Sequence, residues 1–207
     1  MTSPIEPRPE PEPSESSPPA ADARGRILRT AHDLFRRHGL NSIGIDRIVA
    51  AAGVAKMTLY RHFRSKDELA LAVLDDREEL WTRGWLEHEI RRRGRTPDEQ
   101  LLAIFDAYDE WFRRDDYEGC LFMNTQLEIH DRESPVRAAS VDKQMVVRAL
   151  IRTLAEEAGV RDPESFALQW QILTSGSIVV ALMGDVEAGK RARDVATALL
   201  ERARLEA

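Results

Sequence analysis

Residues 53–69 read GVAKMTLYRHFRSKDEL, and this run decides the fold. A turn glycine is followed by a short helix-forming segment, a basic link and the start of a new helix. Just upstream lies IDRIVAAA, Ile45–Ala52, a compact helix with small residues on the side facing its successor. Two short helices joined at a glycine make a helix-turn-helix, whose second helix enters the major groove of DNA. Within that second helix Leu59 and Phe63 are four apart and apolar, so they hold it to its own domain. Lys56, Met57, Thr58, Tyr60, Arg61 and His62 are left for the DNA side. Near the helix start, Lys56 can reach guanine O6 or N7, and Met57 can pack on a thymine methyl.

Working outward, Ile27, Ala31, Leu34 and Phe35 form one apolar stripe, so a first helix runs from residue 22 or 23 to 38, stopped by Gly39. Ile45, Ile48, Val49, Val54, Leu59 and Phe63 complete a small core with that stripe. Arg24, Arg26 and Arg29 lie off it, within reach of a backbone phosphate. The charge distribution agrees. The whole chain of 207 residues carries −6, yet residues 24–66 hold ten Arg and Lys against Asp33 and Asp46, a net of +8. A basic head on an acidic body is the footprint of one small domain facing phosphate.

The remainder reads as helix throughout. Ser65 and Glu68 form a capping box opening a long helix towards residue 92, with Leu69, Val73, Leu80 and Trp81 on its buried side. Thr96-Pro97-Asp98-Glu99 is a second capping box with proline at the first helical position. It starts an unusually aromatic helix that ends near 113. Further helices are expected over 120–130, 136–158, 163–183 and 190–205. In the third-last of these Val146, Val147, Leu150, Ile151 and Leu154 point inward; in the last, Val195, Leu199 and Leu200 share a side. No strand alternation and no repeat occurs, so the fold class is all-α. Residues 1–21 hold seven of the ten prolines and only Ile5 as a sizeable apolar residue, which predicts a disordered tail.

Several function classes are excluded or unsupported. No apolar run approaches a membrane span, and the start carries no secretory signal. One cysteine fits a reducing cytoplasm, the expected location. Cys120 stands near a helix start, where a thiol pKa falls, but flanked by Leu121 and Phe122 it reads as a small buried apolar residue. The five histidines sit in no zinc-binding spacing, and no phosphate loop, nucleophile elbow or catalytic carboxylate pair is present. No metal, cofactor or enzymatic activity is called for.

AGVAKMTLYRHFRSKDEL, 52–69, together with residues 26–52, resembles the signature of the TetR/AcrR transcriptional regulators. The resemblance implies a three-helix DNA-binding domain over 22–66 and a helical effector-binding and dimerisation domain over 67–207. It also implies that Thr58, Tyr60, His62 and Lys66 contact phosphate, fixing register without reading sequence. Ala55 and Gly44 depart from the pattern, since both usually carry a hydroxyl. Losing such a cap costs about 1 kcal/mol for Ser to Ala and less for glycine. The implied partners are a double-stranded palindromic operator, a small-molecule effector and a second copy of the chain. Phe105, Tyr108, Trp111, Phe122, Met123, Gln126 and Trp170 offer apolar surface and a few polar groups around one interior, as ligand pockets between helices do. A filled core is the competing reading for each of them.

Dimerisation is expected through the helices over 162–183 and 190–204. Ser175, Gly176 and Ser177 sit mid-helix, where glycine costs about 1 kcal/mol, and a close partner helix explains that. Ile178, Val179, Leu182, Val195 and Leu199 supply more apolar surface than one inward stripe needs. Repression is the family's usual mode, although an activator has the same sequence features. A helical enzyme or adaptor using its helix-turn-helix for protein contacts is the alternative, and the charge split argues against it.

Overall fold

The computed structural model describes residues 23–205, and every regular element among them is helical. The segment 1–21, expected to be disordered, lies outside the described residues. Gly53 makes the decisive corner. Its φ of 61° is left-handed, and its N–H and that of Val54 satisfy the last carbonyls of α2 (Ile45–Ala52). This turns the chain into α3 (Lys56–His62), and both pack on α1 (Ala23–His38). Ile27, Ala31, Phe35, Ile48, Leu59 and Phe63 close a core with almost no exposure. Neither Gly44 nor Ala55 provides a side-chain cap, as their residue types dictate.

That core does not stop at the third helix. It takes in Leu69, Ala70, Val73 and Leu74 of α4 (Lys66–Arg77), and Leu121, Phe122 and Val136 from much later in the chain. Phe122 lies on α7 (Leu121–Glu128), and Val136 on α8 (Pro135–Glu157). At the far end of α7, Glu128 accepts the backbone N–H of Asn41 at 3.0 Å through its carboxylate. Its carbonyl accepts the Asn41 side-chain amide at 2.9 Å. Gly39 makes room for this strut: its φ is +81°, and a Cβ there would lie 2.5 Å from Glu128 Oε1. Gly39→Ala is therefore expected to cost about 1–2 kcal/mol of left-handed strain and to push Glu128 off Asn41. A thermal melt showing an unchanged midpoint contradicts this.

After α4 the helix axis continues through a π-helical segment (Glu78–Leu86) and α5 (Glu87–Arg93). Ser65 caps α4 as expected, accepting the Glu68 N–H at 3.0 Å. The Glu68 carboxylate, however, reaches one residue further back, to the Arg64 N–H. The π segment overturns the expectation for Leu80. Its i→i+5 bonding widens each turn, so an α-helical stripe drifts out of phase. Leu80 emerges 65% exposed, while Glu78 and Thr82 turn inward beside Trp81. Glu78 is held there by Lys143 of α8 at 2.7 Å and by Arg83 at 2.8 Å, with Lys143 drawing its carboxyl below the usual range.

The body is built from α6 (Pro97–Phe112), α7, α8, α9 (Pro163–Leu182) and α10 (Ala188–Leu205). The Thr96–Glu99 capping box forms in full. In α8, Ile151 and Leu154 are buried and Val147 and Leu150 pack partly. Val146 stays half-exposed outside the core, because α8 offers only a narrow face to α6 and α9. In α9 the small residues divide: Ser177 is buried, and Gly176 faces outward. Ile178 is buried within its own subunit rather than on the outer face. On α10, Leu200 faces inward and Val195 outward, so they do not share a side. By length and composition alone α9 is apolar enough to cross a membrane; here it packs between α8 and α10.

Candidate functional site

Burial of Leu59 and Phe63 turns the rest of α3 outward. Met57 is 76% exposed, and Lys56, Tyr60 and Arg61 share the open surface. Thr58 is half-buried and accepts a long 3.4 Å hydrogen bond from Arg61. His62 and Lys66 are more recessed. His62 Nε2 is enclosed and has no hydrogen-bond partner among the described residues. Partial burial pulls the Lys66 ammonium below its ordinary value, with Asp67 and Glu128 acting the other way. Arg24 lies 5.2 Å above the Phe63 ring, clamping the underside of α3.

Lys56 is not idle in the free protein. Its Nζ is 2.6 Å from Asp46 of α2, and that hydrogen bond raises its pKa. The forward cation of the second helix is thus oriented from the first.

The expected interior residues fall into separate places. Tyr108, Phe122 and Met123 line a cavity of about 30 Å³ with Trp81, Gln144 and Thr174, room for about one water. Phe105 and Trp170 are fully buried, with rings 5.3 Å apart, and Trp170 also meets Phe166 at 5.0 Å. Gln126 donates its amide to the Ser140 carbonyl at 3.1 Å. Trp111 joins Trp81 at 5.0 Å and borders a second, larger cleft. Cys120 caps α7, yet burial pushes its thiol up, outweighing the helix amides that pull it down. It is a protonated thiol at neutral pH. Buried polar atoms on Trp81, Thr82, Thr125 and Trp170 have no hydrogen-bond partner among the described residues, and Trp81 of these lines the small cavity.

Two features escaped sequence reasoning: the Asn41–Glu128 strut and the grouping of Arg36, Arg77 and Arg114 beside Trp81, Trp85 and Trp111. Both join residues far apart in the chain. The tryptophans at 81, 85 and 111 were the available signal for the second.

Residues 27–73 match the family described as bacterial regulatory proteins, tetR family, and residues 97–196 match the tetracyclin repressor-like C-terminal domain. The chain is 34% identical over 100 residues to the HTH-type transcriptional activator FasR of Mycolicibacterium smegmatis, covering 47% of this chain and 43% of FasR. It is 32% identical over 68 residues to the HTH-type transcriptional regulator QacR of Staphylococcus aureus, covering 33% and 36%. The chain thus spans less than half the length of these curated relatives. Among solved structures, SCO4454, a TetR-family transcriptional regulator from Streptomyces coelicolor, is similar along nearly its whole length. It has 29% identity and a TM-score of 0.79, covering 88% of this chain and 96% of that one. A putative TetR transcriptional regulator from Streptomyces avermitilis gives 28% identity and a TM-score of 0.73 over 88% and 98%.

Proposed function

The chain belongs to the TetR family of DNA-binding transcriptional regulators, and from that premise we propose a repressor that binds a palindromic operator as a homodimer and is released by a small molecule. The observation that carries this reading is the outer face of α3, where Lys56, Met57, Tyr60 and Arg61 stand exposed on a basic head. Lys56 and Met57 read base edges; Thr58, Tyr60, His62 and Lys66 hold phosphate, and Arg61 joins the same face. The reading head comprises residues 22–66, and 67–207 form the effector and dimerisation body.

The effector chamber develops from the small cavity beside Tyr108, Phe122 and Met123, within the layer that also holds Phe105, Trp111, Gln126 and Trp170. The unpartnered buried indole N–H of Trp81, which lines that cavity, favours this, because enclosed polar groups normally find a partner. Phe122 both lines that cavity and packs into the core of the reading head. A ligand that displaces it acts on α7 and, through Glu128, on the α1–α2 turn. Such a switch requires unequal affinity for the two arrangements.

Mobility shifts on genomic fragments at several salt concentrations test the DNA reading. Lys66→Ala is expected to weaken binding on all sequences alike. It should also make the salt dependence shallower by about one unit in each subunit, since one phosphate there is no longer neutralised. A changed sequence preference with an intact salt slope removes Lys66 from the phosphate set. FasR is an activator by name, so a promoter fusion with and without the regulator decides the sign of control.

A further inference from the structure

A cleft of about 270 Å³ opens where α1 meets the helix running from α4 into the π segment, with the end of α6 and the α6–α7 connection as its far wall. Arg77 projects into it. Its guanidinium lies 5.2 Å above the Trp81 ring, and among the described residues it makes no ion pair or hydrogen bond. Burial lowers its pKa to about 10. An enclosed cation without a carboxylate is an arrangement proteins avoid unless something else neutralises it.

Its surroundings leave it unpaired although Asp33, Asp116 and Glu118 line the same cleft. Arg36 from α1 and Arg114 from beyond α6 act on Arg77 as like charges, and Asp116 acts on it in the opposite sense. Asp116 is already engaged. Arg114 grips both its oxygens at 2.9 and 3.2 Å, and Arg36 stands 3.8 Å away while also donating to its carbonyl. Arg36 and Arg114 thus occupy Asp116 and leave Arg77 without a direct acid partner among the described residues. Asp33 and Glu118 also line the cleft, Asp33 lying 3.4 Å from His32. His32 stays neutral, because burial and Arg77 both lower its pKa. The rest of the wall is aromatic, with Trp81, Trp85 and Trp111 bordering the same space.

We propose that this cleft binds a small aromatic carboxylate, its acid group on Arg77 and its ring against Trp85 and Trp111. The proposal rests on the effector-responsive reading above and gives that effector a chemistry and a second place to act. Guanidinium binds a carboxylate bidentately, and indole faces favour a flat apolar body over a bare anion. The volume is ample for a small aryl acid. The location supplies the differential affinity. A bound carboxylate competes with Asp116 for Arg36, loosening a tie between the reading head and the body.

The test uses the full chain, calorimetry and tryptophan quenching, with benzoate and phenylacetate as probes against benzamide, phenylacetamide and inorganic phosphate. The acids are expected to bind at least tenfold more tightly than their amides. Arg77→Gln should bring acid and amide to parity, and Asp116→Asn should tighten the acids several-fold. Equal binding of acid and amide overturns the proposal, as does phosphate binding as tightly as benzoate, or an acid preference surviving in a folded Arg77→Gln protein. If circular dichroism finds that variant unfolded, Asp116→Asn decides: tighter acid binding supports the site, and unchanged or weaker binding overturns it. Operator release is scored separately. Arg77-dependent acid binding that leaves the DNA complex intact upholds the site and defeats its effector role. Release by an uncharged compound, where benzoate and phenylacetate fail to bind at all, upholds effector control and defeats this site.

Discussion

Gly176→Arg is expected to yield monomers whose operator affinity falls by about 10²- to 10⁴-fold, the loss that follows when two linked reading heads become independent. The helical spectrum should not change. Gly176 faces outward on α9, and a Cβ built there meets no atom of its own subunit within 4 Å. Nothing inside the subunit explains a glycine that costs about 1 kcal/mol mid-helix. Around it lie Ile172, 71% exposed, with Val179, Val180 and Met183, and Val195 stands exposed on neighbouring α10. A soluble surface rarely leaves so many large apolar groups together without a partner. A second copy packed as a four-helix bundle about a twofold axis covers them and matches a palindromic site. Gly176→Ala, by contrast, should leave the subunit intact or slightly stabilise it. Sedimentation equilibrium with a parallel mobility shift checks the pair. A dimeric Gly176→Arg protein with normal operator binding moves the interface elsewhere.

Trp170→Ala is expected to lower unfolding stability by about 3–5 kcal/mol, the usual cost of truncating a buried large aromatic residue. Trp170 has no exposure and stacks between Phe105 and Phe166. Trp170→Phe should cost far less, because it keeps most of the ring packing and removes an indole N–H that has no partner among the described residues. Urea midpoints at one fixed protein concentration separate these outcomes. They also decide between two roles. As a packing residue Trp170 gives the full loss, whereas as a wall of an effector chamber it gives a small loss and altered ligand affinity.

The reading head was legible because its signals are local. Gly53, Leu59 and Phe63 act through spacing of a few residues, and the corner, buried face and open face all follow from them. The Thr96–Glu99 box was legible for the same reason. The π segment was not: its one local signal is Gly84, where a Cβ would press on the Glu79 carbonyl oxygen at 3.2 Å, and Lys143, 65 residues after Glu78, pairs with that inward carboxylate. Leu80 leaves the buried stripe on that account. The faces of α9 were hard to assign because it is apolar nearly all round, so Ile178 and Val179 look alike in sequence although one is buried and the other exposed. In the body, aromatic content pointed to the helices that build the interior but could not separate packed pairs such as Phe105 and Trp170 from the residues lining open space. The cleft at Arg77 depends on Arg36 and Asp116, which only the folded chain brings together.

While Asp46 holds Lys56 at 2.6 Å, non-cognate DNA meets a reading face whose forward cation is already spoken for. On the proposed reading, random phosphate would then release one fewer counterion per head, so idle encounters would be weaker and less dependent on salt. A guanine edge in register offers Lys56 two acceptors in a fixed direction, enough to exchange one partner for another. If Lys56 reads a base as proposed, the carboxylate of α2 would act as a resident competitor that the correct base displaces. The effect of one exposed pair is small, but the homodimer proposed above would apply it twice, once at each half-site, and would spend less time on DNA that offers no guanine in register.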